Sequence, residues 1–145
     1  IKKNHFPSNY QVIDKLETGL KQSDIVTLHA PGTTEPIIGE KEISLLNKDA
    51  IIINTSRGSH IDINALCRAI EEKSIRAVGL DVYPKEPPNA REYKIFKLKD
   101  ALFTPHIAGL SNDCAARMAL NSAQNIIDAL NGTLKPEFVV NKEVL

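Results

Sequence analysis

The run Ala50-Ile51-Ile52-Ile53-Asn54-Thr55-Ser56-Arg57-Gly58 decides how this chain folds. Its first part is too apolar for a surface helix and too short for a buried one, so it reads as a strand covered on both faces. It breaks off into hydroxyls, an arginine and a glycine, which is how a strand ends in a polar turn. Four residues past that glycine, Asp62 is placed to cap a helix over Asp62 to Glu72, in which Ile63, Leu66, Cys67 and Ile70 recur at i, i+3, i+4 and i+7. A short apolar strand leading through a turn into a helix is half of a βαβ unit, and the other half follows at Ala77 to Asp81.

The same alternation extends in both directions. Strands are expected at Ile25 to His29, Ala50 to Asn54, Ala77 to Asp81 and Ala101 to Thr104. Short helices are expected at Asp14 to Gln22 and Glu40 to Asn47. A long helix should run from Ser111 to Leu130, capped by Ser111 and stopped at Asn131-Gly132, with Ala115, Met118, Ala119, Ser122, Ile126 and Leu130 on one stripe. Strands alternating with helices predict an α/β fold, a parallel sheet with flanking helices. Pro84, Pro87 and Pro88 forbid regular structure through the first part of the Lys85 to Lys99 connection, and loops of that length inside compact domains are usually functional or disordered.

Composition sets outer bounds. At 145 residues, 42% of them hydrophobic, the chain suits one domain. Eighteen basic residues offset eighteen acidic ones, and no stripe of Lys and Arg is present to track a phosphate backbone, which argues against nucleic acid as a partner. The longest apolar runs fall far short of the roughly 20 residues that cross a bilayer, and no charged-then-apolar leader opens the chain, so no membrane partner is expected. A chain opening at Ile1 without Met can have lost its true N-terminus. Cys67 and Cys114 sit in no CxxC and beside no His at ligand spacing, which suggests neither disulfides nor a metal site and fits a reducing cytoplasm.

In an open parallel sheet, ligands bind at the carboxyl ends of the strands. Here those ends carry His29-Ala30-Pro31-Gly32, Thr55-Ser56-Arg57-Gly58, Asp81-Val82-Tyr83 and Pro105-His106-Ile107-Ala108-Gly109. Arg57 is either a surface arginine or a planar fork for a carboxylate, which guanidinium grips through two parallel hydrogen bonds. His106 is either a satisfied structural histidine or the proton donor that a ketone reduction needs near neutral pH. Glu86, in the Pro-rich connection, is either a solvated loop carboxylate or the partner that fixes the tautomer of that ring. Asp81 ends an apolar strand, where burial requires a donor: a turn or helix cap, or a carboxamide such as that of nicotinamide. His5 and His60 have no partner at a recognisable spacing and are expected to be exposed or capping. Tyr83 and Phe103 are expected to pack, and Cys67 belongs to a core stripe.

The four motifs Ser23 to Pro31, Ile53-Asn54-Thr55-Ser56-Arg57-Gly58 with Ile61-Asp62, Gly79 to Pro87 and Thr104-Pro105-His106-Ile107-Ala108-Gly109, in order across nearly the whole chain, resemble the cofactor-binding domain of the D-isomer-specific 2-hydroxyacid dehydrogenases. The resemblance leans toward phosphoglycerate dehydrogenase-like and glyoxylate/hydroxypyruvate reductase-like members. It implies a partial Rossmann-type sheet, NAD as cofactor with NADP as an alternative, a small 2-keto or 2-hydroxy acid as substrate, and a homodimer. By the same resemblance Arg57, Glu86 and His106 are catalytic, and Ala30, Pro31, Thr55, Ser56, Asp81, His106, Ala108 and Gly109 line the cofactor.

Departures from the family pattern matter equally. The glycine-rich turn that seats a pyrophosphate and the acidic residue that binds the ribose do not occur. Residues 1–145 are therefore expected to be the C-terminal portion of a dinucleotide-binding domain, with the glycine-rich half and the substrate domain absent. The Gly32 to Gly39 connection is about two residues shorter than in the family, and Pro36 falls where a polar residue is common. Two alternatives stay open beside an oxidoreductase: a dehydrogenase-like NAD(H)-sensing binding protein, and an inactive truncated remnant.

Overall fold

A computed structural model describes residues 10–89, 91 and 93–144; His5 lies outside them. The chain divides into two compact units, Ile1–His106 and Ile107–Leu145.

In the first unit the order is α1 (Leu16–Lys21), β1 (Ile25–Leu28), α2 (Glu40–Ile43), β2 (Ile51–Asn54), α3 (Ile63–Glu71), β3 (Ala77–Leu80) and β4 (Ala101–Phe103). The strands form one parallel sheet, in the order β1-β2-β3-β4. All four strands fall within their expected ranges, each shorter by a residue at one end. Asp62 caps α3 as its position demands, accepting from the Asn64 and Ala65 amides at 2.9 and 3.1 Å. The helix buries Ala65, Leu66, Cys67, Ala69 and Ile70, and each of the larger apolar side chains among them contributes roughly 1.5–3 kcal/mol through burial. α2 is shorter than expected; Glu42 Oε2 accepts from the Gly39 amide at its start, 3.1 Å away.

The register sets Val26, Ile52, Val78 and Ala101 side by side, and two residues on Leu28, Asn54, Leu80 and Phe103. Leu28, Ile52, Val78 and Leu80 on this face join one hydrophobic cluster with Leu20, Ile43, Leu66 and Ile70. Because α1, α2 and α3 all feed the same cluster, one face of the sheet is covered by them. On the other face Ile25 is 60% and Leu102 71% exposed. The expectation of strands buried on both faces therefore holds best for β2 and β3, whose side chains are buried or intermediate throughout, and fails for β1 and β4.

Between β3 and β4 the Pro-rich segment runs without helix or strand to a 3₁₀ turn at Lys94–Lys97. There Ile95 is fully buried, and Phe96 packs tilted against Tyr83 and edge-on against Phe103, with ring centroids 5.4 and 4.7 Å apart. Tyr83 and Phe103 are thus packing residues, as expected.

The second unit holds α4 (Asn112–Leu130). Ser111 Oγ accepts from the Cys114 amide at 3.1 Å, and Gly132 closes the helix in the left-handed conformation with φ +70°. None of the residues of α4 is buried: the predicted stripe is present, with Met118, Ile126 and Leu130 exposed. Among the described residues no helix is long and apolar enough to cross a membrane.

Candidate active site

Each strand of the first unit ends on the same edge of the sheet, because all four run parallel. The exit of β2 is held by Asn54, which is 1% exposed. Its Nδ2 donates to the Arg57 carbonyl at 2.8 Å, and its Oδ1 accepts from the Ser56 amide at 3.1 Å. One buried carboxamide thus closes the turn and delivers Arg57 in an extended conformation. The guanidinium is exposed; Nη1 donates to the Ser56 carbonyl at 2.7 Å, and no acidic side chain pairs with it among the described residues. Its remaining donors can meet an arriving carboxylate.

Gly58 explains why a glycine follows. A Cβ at that position would overlap the Tyr83 carbonyl and the Pro84 nitrogen, so the β2 exit lies backbone to backbone on the β3 exit. Only a residue without a side chain permits that approach.

Beyond β3, the Tyr83 amide donates to Glu86 Oε1 at 2.9 Å, and the other carboxylate oxygen, Oε2, faces His106 Nδ1 at 2.7 Å. These two bonds, His106 first and the Tyr83 amide second, hold the Glu86 carboxyl below the ordinary glutamate value. A carboxylate facing Nδ1 puts a proton on that nitrogen and leaves Nε2 to exchange protons with a ligand. His106 itself follows β4 with φ +56°, a left-handed conformation that costs a residue other than glycine about 1–2 kcal/mol. Strain of this kind concentrates at functional sites.

Arg57, Glu86 and His106, all candidates from the sequence, line one cavity of ≈ 260 Å³ together with Gly58, Ser59 and Tyr83. Glu86 and His106 also border a second cavity, ≈ 440 Å³, whose other walls are Tyr83, Pro87, Phe96 and Phe103. Asp81 is 2% exposed at the end of β3, with Thr104 Oγ1 donating to its Oδ1. The Ala30 carbonyl accepts from Ser56 Oγ at 2.8 Å, which brings the β1 exit onto the β2 exit. Thr55 is partly buried in that same turn. Ala108 and Gly109 belong to the second unit.

His60 corrects the sequence reading. It is neither exposed nor a cap: it is fully buried, and Nε2 lies 2.8 Å from the Pro31 carbonyl. No periodicity flags a histidine between a glycine turn and a helix cap, and the contact that buries it is 29 residues away in sequence. Asn54 was more legible, since a carboxamide ending an apolar strand needs partners close by.

A family model described as "D-isomer specific 2-hydroxyacid dehydrogenase, NAD binding domain" matches residues 2–108. The chain belongs to the D-isomer specific 2-hydroxyacid dehydrogenases. The chain is 44% identical over 131 residues to glyoxylate reductase of Thermococcus litoralis, covering 89% of the chain and 39% of that protein. It is 37% identical to D-3-phosphoglycerate dehydrogenase of Methanocaldococcus jannaschii, covering 90% of the chain and 25% of that protein. Among solved structures, D-lactate dehydrogenase with NAD+ from Lactobacillus jensenii superposes with a TM-score of 0.77 at 32% identity, covering 88% of this chain and 42% of that one. The chain therefore spans about two fifths or less of the length of these relatives.

Proposed function

We propose that residues 1–145 are the C-terminal portion of a dinucleotide-binding domain, in an enzyme that interconverts a 2-keto acid and a D-2-hydroxy acid with NAD, or alternatively NADP, as cofactor. The observation that carries this reading is the meeting of Arg57 with the Glu86–His106 pair on one small cavity. A ketone flanked by a carboxylate needs a fork for the acid and a proton at the carbonyl oxygen, and this cavity offers both.

Arg57 binds the carboxylate and holds the carbonyl in line with the ring of His106. Orientation of this kind supplies much of the rate by converting an encounter into a fixed geometry. His106 Nε2 gives its proton to the carbonyl oxygen as negative charge builds there, and takes it back in the reverse direction. Glu86 stabilises the charged ring and holds its orientation through Nδ1. A nicotinamide cofactor, when bound, would supply or accept the hydride. Asp81, a buried acceptor at the end of β3, and the β1 and β2 exits at Ala30, Pro31, Thr55 and Ser56 would hold its ring end. The fit is chemical: a strand-end carboxylate needs donors, and a carboxamide brings two.

Both cysteines are unpaired, which supports a reducing cytoplasm, and the exposed apolar residues of α4 support assembly as a homodimer. Because most of a dinucleotide's polar anchoring comes from its pyrophosphate and ribose, the 145-residue chain alone should bind NADH poorly and turn nothing over.

NADH oxidation by the full-length enzyme, with glyoxylate, hydroxypyruvate and pyruvate as substrates, tests the reading. Turnover with at least one of them is expected, and in Arg57→Lys kcat/KM should fall about 10- to 100-fold, since Lys keeps the charge and loses the fork. A Lys variant with kinetics identical to the parent would return Arg57 to the surface.

A further inference from the structure

We propose that His60 is a positioning residue that closes the loop between Pro31 and Ile38 and presses its first residues onto the Arg57 turn. The role given to the loop rests on the dehydrogenase reading above, and the closure itself does not.

His60 touches both ends of that loop. Its ring Nε2 lies 2.8 Å from the Pro31 carbonyl. A carbonyl only accepts, so Nε2 carries the proton and donates. Its main-chain carbonyl accepts from the amides of Ile37 and Ile38, both at 2.9 Å. The Ile38 carbonyl in turn accepts from the Asp62 amide at 3.0 Å, and Ile38 and Ile61 form an isolated parallel bridge. The base of the loop is thus a miniature sheet, and its far end is held by one imidazole. Gln or Asn, with a shorter or differently set amide, is the nearest chemical substitute, and an apolar residue has no donor to offer.

The residue is also tied to the site. Its amide donates to the Arg57 carbonyl at 3.1 Å, and Asn54 Nδ2 donates to the same oxygen. Ser56 Oγ takes the carbonyl just before Pro31, that of Ala30. Two successive carbonyls of the β1 exit are therefore held by two side chains flanking Arg57. A loop fixed twice in this way places Ala30 and Pro31 at a set distance from the carboxylate fork, which matters when a cofactor ring and a substrate must meet with small error.

Packing does not account for a histidine here. His60 is fully buried, and its Nδ1 is buried without a hydrogen-bond partner in the structure. An orphaned buried acceptor costs stability, and a leucine or phenylalanine would fill the space without it. What the ring adds is the bond to Pro31.

The test uses His60→Leu, His60→Gln and Ser56→Ala. Hydrogen exchange of residues 32–38 reads the closure. In His60→Leu it should quicken about tenfold, the size of one net hydrogen bond, with exchange in α3 unchanged; Gln should restore most of the protection, and Ser56→Ala should loosen the loop less. Unchanged exchange of 32–38 in His60→Leu overturns the closure, and so does equal loosening of α3, which marks a general loss of packing. Steady-state kinetics of the full-length enzyme read the positioning. His60→Leu should lower kcat about tenfold with a smaller change in the keto-acid KM, and Gln should recover it. A loosened loop with parental kinetics overturns the positioning role. A parent that reduces no 2-keto acid overturns the proposed function and leaves the closure to be decided by exchange alone.

Discussion

The exits of β2 and β4 carry Arg57 and His106, to which the proposed function gives the carboxylate fork and the proton donor, and they are built in opposite ways. At the β2 exit the backbone is fixed and the side chain is left free. Asn54 closes the turn, Gly58 rests on the Tyr83–Pro84 peptide, and the Arg57 guanidinium projects with no acidic partner among the described residues. At the β4 exit the side chain is fixed while its backbone is strained: Glu86 holds the ring of His106, and φ stands at +56°. The difference suits the proposed chemistry. A fork that must receive a substrate needs open donors on a rigid stem, whereas a ring that must pass a proton needs one nitrogen committed so that the other is defined.

The largest effect should come from the β4 side. His106→Asn keeps a residue that tolerates the left-handed conformation and removes the proton donor, so ketone reduction by the full-length enzyme should fall about 10²- to 10⁴-fold, with NADH affinity within a few-fold of the parent. Stopped-flow turnover beside fluorescence titration measures both, and a variant retaining most of its turnover would erase the functional half of the contrast.

The rigid stem at β2 is challenged next by Gly58→Ala. A methyl group there meets peptide backbone, which cannot rotate away, so the two exits must separate. A loss of about 3 kcal/mol is expected, at the upper end of overpacking costs, read from urea unfolding. A variant as stable as the parent would show that the exits are not locked together.

The smallest effect sharpens the comparison by pH. The fold lowers the pKa of Glu86 through the His106 bond and the Tyr83 amide, so the stability this carboxylate contributes is present above the ordinary glutamate value of about 4.3 and is lost as pH falls through its lowered one. Glu86→Gln should cost less than about 1 kcal/mol at pH 7, since the pair is half in solvent. The gap between parent and variant should narrow as pH falls below that ordinary value and through the lowered one. A gap that stays constant across that range would mean the carboxylate charge contributes nothing to the fold.

How much of this was legible in the sequence depends on how local the cause was. β2, β3 and α3 could be read because their own residues specify them: an unbroken apolar run, a capping aspartate, a stripe at helical spacing. The exposed faces of β1 and β4 could not, since an apolar strand such as Ile25–Leu28 reads the same whether or not a helix covers its second face. Arg57 and His106 could be singled out once the parallel sheet was assumed, because strand ends then share one edge, whereas Glu86, in the Pro-rich connection, was given its role beside His106 by the family resemblance. His60 stayed hidden because its partner, Pro31, is reached only through the fold, and a lone histidine carries no periodicity.

The contact at Gly58 bears on how such a site can change over generations. From Arg57 to His106 the path runs through a backbone contact, the Tyr83 amide and the Glu86 carboxylate, the one side chain in it, which is held through both of its oxygens. A lineage drifting toward bulkier or smaller substrates cannot widen or narrow the gap between fork and proton donor by single replacements along that path. Variation in what is accepted has to be borne by walls away from it, such as Pro87, Phe96 and Phe103 around the neighbouring cavity, or by parts of the enzyme beyond this sheet.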